Sequence, residues 1–184
     1  ILRWPKEESV IRPRSHCPGC NRLIAGYDNV PILSWLILRG RCRHCKTGIS
    51  IQYPLVELCV ALIWVFMSWR YGLDVKALQG AAFFTILLGI ALTDAREYII
   101  PDEFSLGGLV IGILFSLAGG FSGIAAALLG AAVGFALLWG VGAAGTKLFK
   151  EDAMGGGDIK MMAMVGAFVG WQGVLLPVFL GALL

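Results

Sequence analysis

From residue 55 onward the chain alternates long apolar runs with short polar breaks. The apolar positions fill 55–69, 77–93, 104–118, 124–145, 159–171 and 174–184, and the charged residues gather between them. Runs of this kind predict membrane helices, and those shorter than the ~20 residues of a full span can be extended by flanking Arg, Lys, Trp and Tyr. The pattern therefore predicts an all-α polytopic membrane helix bundle over 54–184, preceded by a small domain over 1–53. Ile1 follows no initiating Met and Leu184 falls inside an apolar run. Further helices are expected before and after this chain, so the bundle is read as truncated at both ends of its parent.

Composition agrees with the pattern. Of the 184 residues 58% are hydrophobic and only 15% charged, far from the balance of a soluble domain. The net charge of +3 is unevenly spread: residues 1–50 hold nine Lys and Arg against Glu7, Glu8 and Asp28, a surplus of six, and the remainder is net acidic. Positive segments stay on the cytoplasmic side of a membrane, which puts residues 1–53 in the cytoplasm. Counting spans from there puts 70–76 outside, 94–103 inside, 119–123 outside and 147–160 inside. Arg70 and Lys76 run mildly against that count, and Lys147, Lys150 and Lys160 agree with it.

Two CxxC knuckles, Cys17-Pro18-Gly19-Cys20 and Cys42-Arg43-His44-Cys45, are separated by twenty-one residues. Four thiolates so spaced can converge tetrahedrally on Zn²⁺, and a small domain with little core uses such a site in place of one. Two structural disulfides are the alternative, which a cytoplasmic location disfavours. A four-cysteine site is closed, so the zinc is read as structural. His16 and His44 are read as solvated or supporting neighbours, and Cys59 as a small residue packed in a helix. Arg39, Arg41, Arg43 and Lys46 invite a nucleic-acid reading, but basic residues beside a membrane span are what topology and anionic headgroups favour, so no nucleic acid is expected and the lipid bilayer is the expected partner.

Gly108/Gly112, Gly130/Gly134 and Gly166/Gly170 have the GxxxG spacing of close helix packing. Glu57, just after Tyr53-Pro54, is read as a charge favoured by a helix start.

Chemistry is expected at two aspartates placed where apolar runs meet polar loops. Asp94 opens Asp94-Ala95-Arg96-Glu97-Tyr98-Ile99-Ile100-Pro101-Asp102, where Pro101 predicts a helix end beside a short turn. Asp158 follows Gly155-Gly156-Gly157, three residues expected to resist helix and so to leave backbone open for an extended peptide. Two carboxylates close together in a partly desolvated site share one proton, the ionised member activating water and the protonated one polarising a carbonyl. Peptide hydrolysis is one reading. The other has each Asp capping a helix or pairing with Lys160 or Arg96.

The motifs in their order resemble the bacterial type IV prepilin peptidases, the prepilin leader peptidase/N-methyltransferase enzymes of the GxGD-type intramembrane aspartyl protease family. The matching residues are Cys17-Pro18-Gly19-Cys20, Asn29-Val30-Pro31, Ser34-Trp35, Gly40-Arg41-Cys42, Cys45, Ile49-Ser50, Tyr53-Pro54-Leu55-Val56-Glu57, Asp94, Ile100-Pro101-Asp102 and Gly155-Gly156-Gly157-Asp158-Ile159-Lys160. The resemblance implies that Asp94 and Asp158 are catalytic and that Cys17, Cys20, Cys42 and Cys45 hold zinc in a cytoplasmic zinc-knuckle domain; Gly155, Gly156, Gly157 and Lys160 are read as bordering the substrate. It implies leader cleavage of prepilins and type II secretion pseudopilins at the inner-membrane face, then N-methylation from S-adenosylmethionine. No residue is assigned to the methyl donor. Readings from other classes are an ion- or proton-coupled transporter and a membrane-tethered zinc binding module of a secretion assembly.

Overall fold

The computed structural model describes residues 16–183 apart from Pro18, Pro31, Asp152 and Ala153. Residues 1–15, which carry four of the basic side chains behind the expected topology, lie outside the described residues, as does Leu184. The chain divides into two compact units, Ile1–Trp69 and Arg70–Leu184. Among the described residues it is helical, with two isolated antiparallel bridges, His16 with Leu23 and Arg41 with Gly48.

The first unit joins a cysteine-bearing module to a long helix. Within the module α1 (Leu33–Ile37) is a single turn or so. Its inward side is fixed by hydrogen bonds: the buried Ser34 hydroxyl donates to the Tyr27 carbonyl at 3.1 Å, and the Trp35 indole N–H donates to the Ile49 carbonyl at 3.1 Å. α2 (Gln52–Tyr71) carries Pro54 in its first turn, where the missing N–H has no helical partner to lose. Its 20 residues, about 30 Å at ~1.5 Å each, match a hydrocarbon layer, and of its side chains only Pro54 and Met67 are buried within the chain. Glu57 lies in the second turn of α2, beyond the helix start expected for it. Its carboxylate instead accepts the backbone N–H of Ile32 at 2.7 Å.

The second unit is a helix bundle of α3 (Val75–Glu97), α4 (Asp102–Ser116), α5 (Gly120–Phe149) and α6 (Gly156–Leu183). Gln52–Tyr71, Val75–Glu97 and the Asp102–Phe149 segment are each long and apolar enough to cross a membrane, as expected of a multi-pass protein. The last of these doubles back through a 3-10 turn at Leu117–Gly119, so α4 and α5 form a hairpin. Asp74 starts α3 by accepting the Val75 N–H at 2.6 Å, and Tyr98 ends it in the left-handed region.

Glycines set the packing. α5 and α6 run antiparallel with the Gly130 and Gly166 backbones in direct contact and Gly134 on the Met162 carbonyl, while α4 lies along α6 with Gly108 on Met164 and Gly112 on Phe168. Any side chain at Gly130 or Gly166 would collide with main chain, which cannot move aside as a side chain can. Met162, Met164, Val165 and Val174 of α6 and Ile90 of α3 form the core, with Phe83, Ile86 and Phe104 packed on it. Gly170 also brings its backbone against Gly130, but it does more than pack: nothing lies near its own missing Cβ, and its φ of 72° and ψ of 172° break α6. Only glycine adopts that conformation cheaply. The break lies just beyond Phe168, whose carbonyl accepts from the Gln79 amide at 3.3 Å, so a polar side chain of α3 supplies a donor beside the interrupted ladder.

Candidate active site and metal centre

The four cysteines converge. Their Sγ atoms all lie within 4.8 Å of one another, and Cys17 and Cys45 are 3.6 Å apart. Tetrahedral zinc with bonds of ~2.3 Å requires sulfurs about 3.8 Å apart, so the cluster fits a metal with small adjustments. The cysteines are free thiols here, with the Cys17 and Cys45 sulfurs outside disulfide bonding distance.

Each knuckle is built in the same way. The Cys17 N–H donates to the Arg22 carbonyl and the Cys42 N–H to the Thr47 carbonyl, both at 2.9 Å; a left-handed residue, Asn21 or Lys46, follows the second cysteine. The bridges His16 to Leu23 and Arg41 to Gly48 then close each hairpin at an identical spacing. This repeat was legible in the shared CxxC frame, but the left-handed residue was not, since neither Asn21 nor Lys46 is glycine.

The hydrogen bonds around the cluster act unequally on its thiols. Cys45 is lowered to about 6, chiefly by the Thr47 hydroxyl and backbone N–H, and Cys42 is lowered by the N–H groups of Cys45 and His44. At Cys20 the Arg22 N–H lowers the value, but desolvation and hydrogen bonds with Cys45 and Cys17 outweigh it and leave the thiol at about 11. A metal must therefore displace a proton on binding. His44 stands outside the ligand set, its Nδ1 3.3 Å from the Arg22 guanidinium. Arg43 donates to Asp28 through Nε at 2.8 Å and Nη2 at 2.6 Å, and its guanidinium lies 5.4 Å from the Tyr27 ring. Arg43 holds the Asp28 carboxyl below its usual range.

In the bundle, Phe83 and Phe168 are 4.9 Å apart and fix the register of α3 against the antiparallel α6. Asp94 lies eleven residues beyond Phe83 and Asp158 ten residues before Phe168, about 16 Å and about 15 Å along their helices. By this measure the two residues stand at about the same level along their helices. Eleven residues is close to three turns, so Asp94 also returns to the face of α3 that carries Phe83 toward α6.

Asp94 stands at a helix end, as expected: α3 runs to Glu97, so Asp94 occupies its last turn, with its carbonyl accepting the Tyr98 N–H at 2.9 Å. The expectation for the glycines is corrected. Gly156 and Gly157 are helical and begin α6, leaving only Gly155 outside. At a helix N-terminus the first N–H groups have no helical partner anyway, so glycine is tolerated there, and a Cβ on Gly157 would sit 3.0 Å from the Ile100 Cβ. The glycines seat the turn after Asp94 against the start of α6.

Asp158 is half-buried and its Oδ2 bends back toward Gly155; Asp94 is exposed. Lys160 pairs with Asp102 at 2.8 Å and 2.9 Å, binding the first turns of α4 and α6, and does not pair with Asp158. Among the described residues neither Asp94 nor Asp158 has a side-chain hydrogen bond or ion pair. Ile159, next to Asp158, lines an open cavity of about 420 Å³ with Trp139, Ala143, Lys147 and Met154.

Residues 1–71 match the family model of the bacterial peptidase A24 N-terminal domain, and residues 81–184 match that of the type IV leader peptidase family. Proteins named prepilin leader peptidase/N-methyltransferase are similar over almost all of the chain. That of Myxococcus xanthus (strain DK1622) is 38% identical over 95% of the chain, that of Aeromonas hydrophila 39% over 95%, and that of Neisseria gonorrhoeae 35% over 96%. The chain spans 52%, 60% and 62% of these relatives' own lengths. No solved structure matches it.

Proposed function

The chain belongs to the type IV leader peptidase family, and from that premise we propose that it is the part of a bifunctional enzyme that cleaves the leader peptides of prepilins and type II secretion pseudopilins. Its relatives' names pair this peptidase with an N-methyltransferase, so the new N-terminus is methylated by the same protein, with S-adenosylmethionine as donor. Residues 54–184 carry the peptidase and residues 1–53 a structural zinc site formed by Cys17, Cys20, Cys42 and Cys45. The enzyme lies in the inner membrane with the zinc module and both aspartates on the cytoplasmic side, the side that the basic N-terminal segment favours.

Asp94 and Asp158 act as an aspartyl dyad. The observation that supports this reading is their common level at one end of the bundle, with no side-chain partner for either carboxylate among the described residues. Paired or capping carboxylates would already be spent on structure. With one proton shared between them, the ionised carboxylate takes a proton from water as it attacks the scissile carbonyl, and the protonated one hydrogen-bonds the carbonyl oxygen. The proton then passes to the leaving nitrogen. The substrate's extended segment lies over Gly155, Gly156 and Gly157, with Lys160 at its border, and an apolar side chain fills the cavity beside Ile159.

The test is cleavage of a prepilin by the full-length enzyme in detergent or nanodiscs. Asp94→Asn and Asp158→Asn keep size but supply neither general base nor shared proton, and each should slow cleavage by about a hundredfold or more. Retained cleavage in either variant would remove that residue from the mechanism.

A further inference from the structure

α1 divides its residues sharply. Ser34 and Trp35 bond inward, whereas Leu33, Leu36 and Ile37, at the i, i+3, i+4 spacing of one helix face, are 58%, 60% and 68% exposed. Three large aliphatic side chains on one short turn form a facet that water disfavours. Two observations identify what it meets. First, Ile32, immediately before α1, donates its N–H to Glu57, five residues inside a membrane-spanning helix that begins at Gln52. Five residues is about 7.5 Å of helix and a helical side chain leans back toward the N-terminus, so the start of α1 is held beside the first turns of α2. The first turns of a membrane helix are where interfacial segments bury their apolar faces. Second, the segment after α1 is basic: Arg39, Arg41 and Lys46 follow within ten residues and no acid intervenes, while Arg43 is paired with Asp28. Arg39 and Arg41 are exposed. Cationic side chains flanking a shallow apolar facet are complementary to anionic lipid headgroups.

We propose that the Leu33, Leu36 and Ile37 facet is a lipid-binding element, inserted among anionic phospholipid headgroups beside α2 and held there by the Ile32 to Glu57 hydrogen bond. The cysteine module is then seated on the bilayer and does not merely hang from it. This placement does not depend on the catalytic reading.

The experiment places a photoreactive p-benzoylphenylalanine at Leu36 or Ile37 of the full-length protein in nanodiscs of phosphatidylethanolamine and phosphatidylglycerol. Both side chains point away from the Ser34 and Trp35 contacts, so the fold tolerates the change; a diazirine-bearing leucine analogue gives the same readout with less bulk. Mass spectrometry after illumination should find phospholipid adducts at both positions in several-fold excess over protein cross-links. Cross-links chiefly to other helices of this enzyme or to a second protein would assign the facet to a protein partner and overturn the proposal. An absence of adducts of either kind would place it in water and overturn it as well.

Discussion

The cysteine module and the helix bundle solve the same problem of holding a chain together by opposite means. In the module the buried side chains are few, chiefly Cys17, Cys42 and Ser34, and order comes from converging thiols and individually placed hydrogen bonds. The bundle has polar links between helices such as Gln79 to Phe168 and Lys160 to Asp102, and its close packing relies on glycines that let α5 and α6 meet backbone to backbone. The module is therefore vulnerable to loss of one ligand, and the bundle to the gain of one methyl group.

Metal removal should separate the two most strongly. A structural zinc supplies folding free energy on the order of 10 kcal/mol in small domains. Chelation, or Cys17→Ser with Cys42→Ser, should expose amides across residues 16–50 to rapid hydrogen exchange while α5 and α6 keep their protection. Loss of protection in both regions would mean that the bundle depends on the metal. Unchanged zinc content in the double variant would reject the four-cysteine site itself.

The converse is Gly166→Val. Its branched side chain meets the main chain of Gly130, and overpacking of this kind costs about 3 kcal/mol or more. Thermal unfolding in detergent should show a destabilised bundle while the purified protein retains its metal. Glu57→Ala comes next, since it leaves the Ile32 N–H without its acceptor in a partly buried position, a loss of about 1–3 kcal/mol. Faster exchange at Ile32 with normal exchange in α6 is the expected signature.

The smallest effect belongs to Asp28. Its folded carboxyl is held below the usual range by Arg43, so the pair's contribution is complete above that range and is lost as pH falls through the depressed folded value. Asp28→Asn should reproduce at neutral pH the slight loosening of residues 26–29 that acid causes in the wild type, and should remove that pH dependence. Exchange rates of those amides measured across the acid range provide the check.

Much of this architecture was legible in the residues, for identifiable reasons. The cysteine cluster was visible because CxxC spacing is a local constraint that brings two ligands together before any tertiary structure is known. The helices were visible because hydrocarbon imposes its length on them. What escaped was decided by contacts distant in sequence or by backbone alone. Gly166 and Gly170 share one motif and both border Gly130, yet only Gly170 breaks its helix, and nothing in the spacing separates them. Pro101 constrains Ile100 and not Glu97, so it could not tell where α3 ends; the left-handed Tyr98 does that. Glu57 looked like a local charge at a helix start because its partner lies 25 residues away. The common level of Asp94 and Asp158 required the Phe83 and Phe168 contact, which no pattern in either helix announces.

The hydrogen bond from Ile32 to Glu57 also imposes an order on biosynthesis. Both cysteine pairs precede Glu57 in the chain, and the second pair lies inside the loop that this bond closes. During synthesis from the N-terminus, the ribosome releases a complete set of four thiols before the acceptor for Ile32 exists. Metal capture can thus come first, on a nascent segment still free to turn. Closure of the bond waits until Glu57 itself has left the ribosome.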